Sequence, residues 1–126
     1  MIAYLDTNVV VRLSQGNLPG IRSQTRKILE QAVLLISPVV LIELEFLYEI
    51  TRIKLSGRDI LKKLDHEIRL RVCDLPFPSV ANTALDEKWT RDPFDRIIVA
   101  QAKANGFAFL ISADEEIAQH YPRTIW

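Results

Sequence analysis

The sequence predicts an α/β fold, a three-layer α-β-α arrangement around a parallel sheet of four to five strands, and three observations lead there. Short apolar runs at residues 2–5, 33–36, 72–75 and 107–111 alternate with stretches of helical pattern. Helix-start and helix-stop residues (Ser37-Pro38, Asp92-Pro93, Gly106) separate them. The run at 33–36 is continuously apolar, which is typical of a strand covered on both faces. Alternation of this kind indicates parallel strands joined by helical crossovers. Right-handed crossovers put the carboxyl ends of all strands on one edge, where open α/β sheets bind their ligands.

Each element follows from local chemistry. The first strand ends at Asp6-Thr7-Asn8, residue types that favour strand ends, turns and helix caps. A helix then covers 9–14, and 15–20 carry most of the chain-breaking residues and form a loop. Residues 21–31 make an amphipathic helix, with Ile21, Ile28 and Leu29 inward and Arg22, Arg26, Lys27 and Glu30 outward. After the second strand, Ser37 caps and Pro38 begins a helix over 39–52, apolar almost all round apart from Glu43, Glu45 and Glu49. A further helix over 57–70 presents Ile60, Leu61, Leu64 and Ile68. The third strand is closed by Pro76; helices over 78–89 and 92–105 follow, the latter stopped by Gly106. After the fourth strand, Ser112-Ala113-Asp114 leads into a short helix ending near His120, and 121–126 can add an edge strand.

Composition narrows the class. The chain has 126 residues, 48% hydrophobic and 25% charged, enough for one core without disulfides, so a single domain over 1–126 is expected. Sixteen basic and sixteen acidic residues balance to +0, so a nucleic-acid partner must meet local patches or a metal rather than bulk charge. The one cysteine, Cys73, cannot pair internally, and the start shows no basic segment or cleavage site; both suggest a cytoplasmic protein. The apolar stretch 32–50 approaches membrane-spanning length but holds Glu43, Glu45 and Glu49, whose burial in lipid is costly.

The chemistry concentrates in acids. Arg91-Asp92-Pro93-Phe94-Asp95-Arg96 opens the helix 92–105, with Asp92 placed as N-cap, Pro93 as first helical residue and Asp95 as a capping-box acid. Capping alone would explain these two. Asp6 and Asp114, however, also follow strands, and Glu43 sits two turns into the helix after the second strand among Val39, Val40, Leu44, Phe46 and Leu47. Glu45 and Glu49 point elsewhere around that helix and read as solvated. Four or five acids gathered at one edge, with no lysine near them in sequence, would repel one another unless a divalent cation intervened. An all-oxygen set suits Mg2+ or Mn2+. His66 and His120 are isolated, and no Ser-His-Asp order, CxxC pair or Gly-rich phosphate loop occurs.

Taken in order, Leu5-Asp6-Thr7-Asn8, Glu43 after Ser37-Pro38, Asp92-Pro93-Phe94-Asp95-Arg96 before Ile-Ile-Val-Ala-Gln-Ala, and Ile111-Ser112-Ala113-Asp114 resemble the PIN domain, and the length resembles a stand-alone VapC-type toxin. The resemblance spans essentially the whole chain. It implies that Asp6, Glu43, Asp95 and Asp114 are the catalytic, metal-holding acids of a Mg2+- or Mn2+-dependent endoribonuclease. It also implies a homodimer, an RNA substrate and a small antitoxin partner. Ser112 matches a hydroxyl residue two before the last acid, and Asp92 an accompanying acid of variable role. Thr7, Asn8 and Ser112 are then expected to orient the acids, and Arg91 and Arg96 to meet phosphate.

Rival readings are a non-catalytic module of the same fold that binds RNA or protein, and a Mg2+-dependent phospho-receiver or phosphatase-like domain. The last two need a second acid after the first strand, which Asp6-Thr7-Asn8 lacks.

Overall fold

A computed structural model describes residues 1–126. In chain order its elements are β1 (Ile2–Leu5), α1 (Thr7–Ser14), α2 (Ser23–Gln31), β2 (Val33–Ile36), α3 (Pro38–Glu49), α4 (Gly57–Ile68), β3 (Arg71–Val72), α5 (Phe77–Ala84), α6 (Pro93–Ala104), β4 (Phe109–Ile111), α7 (Glu115–His120) and β5 (Thr124–Ile125). The strands form one sheet in the order β3-β2-β1-β4-β5, every pairing parallel. The α/β architecture and the parallel sheet are as expected, with the edge strand at the tail making five. No helix is long and apolar enough to cross a membrane.

β1 lies at the centre, paired to β2 through Tyr4 and Leu35 and to β4 through Tyr4 and Leu110. Its Ala3, Tyr4 and Leu5 are buried, and they anchor a core that takes in Ile36, Leu44, Ile60, Leu64, Ile98, Leu110 and Tyr121. β2 is less covered than its composition suggests, for Val33 is 57% exposed. The reason is β3, which pairs only Arg71 with Leu35 and Val72 with Ile36, leaving the first half of β2 without a neighbour on that side.

Caps decide where helices begin. α1 starts at Thr7 rather than Val9 because Asp6 itself is the N-cap. Ser37 and Pro38 open α3 as the sequence indicates, with the Ser37 hydroxyl accepting from the Val39 N–H at 3.3 Å. α3 stops at Glu49, three residues short of the expected end, because Thr51 takes a left-handed φ of 62°. α5 stops at Ala84 instead of Trp89, and the Arg96 side chain holds the carbonyls of Ala84 and Leu85 there, at 3.3 and 3.2 Å.

Two polar residues do structural work that their exposed-looking neighbourhoods conceal. Glu45, read as solvated, accepts a hydrogen bond at 3.1 Å from the Gly57 N–H, the first of α4, and so adds to the cap that Ser56 supplies. Gly57 is needed there, since a Cβ would come within 3.0 Å of the Leu41 carbonyl oxygen. Glu87 is 2% exposed, pairs with Lys103 and accepts from the Trp89 indole N–H at 2.7 Å. Trp89 in turn stacks on His120, with ring centroids 4.9 Å apart. Between sheet and α6, Asn105 donates to the Tyr4 hydroxyl at 2.7 Å, Tyr4 and Cys73 share a hydrogen bond at 3.0 Å, and Gln101 donates to the Cys73 sulfur at 3.3 Å.

Candidate active site

The acids singled out in the sequence stand at the carboxyl edge of the sheet or on the helices that begin there. Asp6 follows β1 and is 6% exposed. Its Oδ2 accepts from the Ser112 hydroxyl at 2.8 Å and its Oδ1 from the Thr7 N–H at 2.8 Å. Its own N–H continues the sheet to the Ile111 carbonyl at 3.1 Å. Ser112 is doubly engaged, because its hydroxyl also accepts from the Asp114 N–H at 3.1 Å. One serine therefore ties the end of β1 to the start of α7.

Glu43 is half-buried, and one of its carboxylate oxygens accepts from the Thr7 hydroxyl. That contact brings the second turn of α3 to the end of β1, the approach its place in sequence required. Asp114 is exposed and caps α7, its Oδ1 accepting from the Glu116 and Ile117 N–H groups at 2.8 and 3.1 Å. Asp92 caps α6 in the same manner, accepting from Phe94 at 2.9 Å and Asp95 at 3.4 Å. Asn8 is exposed on the first turn of α1.

Asp95 is the exception. A capping-box acid at this position would reach back to the N–H of the cap residue. Here the Asp92 N–H goes instead to the Thr90 hydroxyl at 3.1 Å, so the Asp95 carboxylate takes no part in the cap, to which the residue contributes only its backbone N–H. No lysine or arginine pairs with any of these acids; the two ion pairs in the molecule are Asp65–Arg71 and Glu87–Lys103. Arg96 is occupied with the end of α5, and Arg91 with the Lys88 carbonyl at 3.2 Å.

The electrostatic result is a carboxylate held out of its normal range. Burial first, then the charges of Asp92, Asp6, Asp114 and Glu43, push Asp95 up to about 7. Burial also raises Asp6, opposed by the Ser112 and Thr7 hydrogen bonds and reinforced by Asp114 and Asp92. Glu43 rises by burial, against the Thr7 hydrogen bond and with help from Asp6 and Asp92. These acids feel one another without forming a tight cage: no three His, Cys, Asp or Glu side chains are arranged to hold one ion among them. Asp114 and Ser112 line a cavity of about 470 Å³, while Asp6, Glu43 and Asp95 lie outside its wall.

A stability prediction follows from Asp95. The folded state binds its proton more tightly than the unfolded chain, so the protonated form's contribution is complete below about pH 4 and is lost as pH rises to about 7. Partial exposure screens the effect, leaving on the order of 1–2 kcal/mol. Thermal melts of the metal-free protein should therefore weaken between pH 5 and about 7.5, and Asp95→Asn should flatten that slope. A slope equally steep in the variant would assign it to other groups.

Residues 3–121 match the family model of the PIN domain. The chain belongs to the PIN domain family. Membership sets aside the phospho-receiver and phosphatase-like alternatives, whose folds are different. No curated protein matches the chain significantly. Among solved structures it is similar to VapBC2 from Rickettsia felis bound to a DNA fragment from their promoter, at 21% identity and TM-score 0.66, covering 99% of this chain and 96% of that one. It is similar to a toxin–antitoxin complex from Klebsiella pneumoniae at 18% identity and TM-score 0.66, covering 98% and 96%. Likeness at this identity speaks for the PIN fold. Two features of this PIN domain escaped sequence reasoning: the Arg96 cap on α5 and the Glu87–Lys103 pair behind Trp89. Both depend on residues at least 11 positions apart and leave no local signature.

Proposed function

We propose that this PIN domain is a divalent-metal-dependent endoribonuclease and the toxin of a toxin–antitoxin pair. The observation that carries the reading is Asp95, a carboxylate with no capping duty and no basic partner, facing the charges of four other acids. Uncompensated repulsion of that kind has a natural purpose where a cation is to bind. The donor set fits Mg2+ or Mn2+, being all oxygen. With no tight three-acid cage present, a cation here would be held by one or two carboxylates and its own waters.

Asp6 and Asp95 are the residues assigned to hold the cation, with Glu43 and Asp114 as further ligands or acceptors for its waters. When bound, the cation supplies Lewis-acid polarisation of the phosphodiester and a water of lowered pKa. Thr7 holds Glu43 by its hydroxyl, and Ser112 holds both Asp6 and the Asp114 backbone. Asp92 fixes the start of α6 and hence the backbone that presents Asp95. Outer groups of this type orient ligands and tune their basicity. The test is cleavage of RNA in Mn2+ and in EDTA: cation-dependent cleavage is expected, and its absence would leave a binding module of the same fold.

The antitoxin partner is supported by the similarity to chains from two toxin–antitoxin structures. A second copy of the chain is the occupant proposed for the apolar face of α3, where Ile42 is 64% and Phe46 50% exposed, and where the exposed Phe77 lines the same cavity as Ile42. Light scattering should give a dimer that Phe46→Glu splits; a monomeric wild type would refute the pairing. The cytoplasm is the compartment proposed, on the single unpaired Cys73.

A further inference from the structure

We propose that the cavity beside Asp114 is a nucleobase subsite, receiving the base of a nucleotide next to the phosphate that is cut. Its place in the reaction rests on the nuclease reading; its ability to bind does not. The cavity encloses about 470 Å³, within the roughly 300–1,000 Å³ of small-molecule sites. It is contiguous with the acids through Ser112, whose hydroxyl holds Asp6, and through Asp114.

The same lining includes Arg22 and Gln24 from the start of α2, and Trp126. Trp126 is held at its ring and through the backbone of the residue before it. The Arg12 guanidinium, outside the cavity wall, packs on its ring at 5.3 Å. The Ile125 carbonyl before it accepts from the Ser112 N–H at 3.0 Å, so the residue that orients Asp6 also positions the end of β5.

The wall chooses the occupant. Arg22 is its only cation, set against Asp114 and Glu115, so the cavity is net negative and disfavours a phosphate. A neutral, flat group with donors and acceptors on its edge suits it better. Trp126 with Ile28, Phe109 and Ile125 offers apolar and aromatic surface, and bases stack on aromatic side chains with little regard to sequence. The Gln24 amide can donate and accept at a base edge. Arg22 enters neither ion pair of the molecule and remains open to a base carbonyl or the indole-stacked ring.

The experiment uses labelled single-stranded RNA homopolymers of each of the four bases, titrated in EDTA by fluorescence anisotropy, followed by cleavage in Mn2+ with mapping of the cut ends. Wild type should prefer one base class. Gln24→Ala and Trp126→Ala should weaken binding about tenfold, with Trp126→Phe restoring much of it, as loss and partial return of stacking require. The same variants should raise KM more than they lower kcat and should blur the preference beside the cut. Circular dichroism melts check the fold, and Gln24, which is exposed, serves as the variant that folding cannot confound. RNA binding without Mn2+-dependent cleavage would sink the nuclease reading and leave the subsite standing. Cleavage with unchanged affinity and unchanged cut preference in both variants would overturn the subsite and leave the nuclease. No binding of any homopolymer, or variants that lose a protein partner while RNA binding is intact, would also overturn it and make the cavity a docking point for a protein segment.

Discussion

Asp95→Asn should lower Mn2+-dependent RNA cleavage by more than about a hundredfold while leaving the metal-free fold as stable as wild type or more so. The loss should exceed the roughly 10- to 100-fold that follows removal of a group supporting a ligand, because here a charge meant for the cation is itself removed. Stability should move in the other direction. A helix-start acid contributes about 0.3–1 kcal/mol through the macrodipole, and its neutralisation would forfeit that. Asp95, however, is raised to about 7 by burial and by four neighbouring acids, so an uncharged amide relieves more than it gives up at neutral pH. Asp92→Asn is the contrast, since asparagine caps as well as aspartate and the side chain already serves that end. Kinetics and melts of the two variants separate the roles. An Asp95→Asn protein that cleaves RNA at full rate would remove Asp95 from the site, and one that melts well below wild type would make it structural.

Lys103→Ala should cost about 3 kcal/mol and lower the melting temperature by roughly 10 °C, as breaking a buried pair from one side does. Glu87 is 2% exposed and would be left with a charge answered only by the Trp89 indole N–H. Removing both charges together, as Glu87→Gln with Lys103→Met, should recover most of the loss, because the penalty belongs to the unpaired charge. The damage should also reach the site. Trp89 anchors the segment that delivers Thr90 to the Asp92 N–H, so RNA cleavage per folded molecule should fall in Lys103→Ala and return in the double variant. Equal melting temperatures for wild type and Lys103→Ala, checked by calorimetry, would show that the pair contributes nothing.

Periodicity and punctuation were sufficient for the order of the elements. Apolar runs and caps are local signals, and Ser37-Pro38, Asp92-Pro93 and Asp114 open helices where the chain says they should. The alternation of runs and helices likewise carried the parallel sheet, since right-handed crossovers leave few other topologies. Asp6, Asp92, Asp95 and Asp114 were legible for the same reason, each standing at the end of a strand or the start of a helix, whereas Glu43 lies inside α3 and was picked out by its apolar neighbours.

What only the tertiary structure decided is which of two jobs each acid has. Asp92 and Asp95 look alike in sequence, both at the mouth of α6. The difference lies in Thr90, which takes the N–H that a capping-box Asp95 would have bonded, and in the charges of Asp6, Glu43 and Asp114 brought in from three other elements. Glu45 and Glu87 looked solvated or unremarkable until folding set Gly57 and Lys103 beside them. A carboxylate's role follows from its dielectric surroundings and its partners, and both are made by residues distant in the chain. Sequence spacing determines where such a group sits on its own strand or helix, and the packing of that element against the others determines what it meets there.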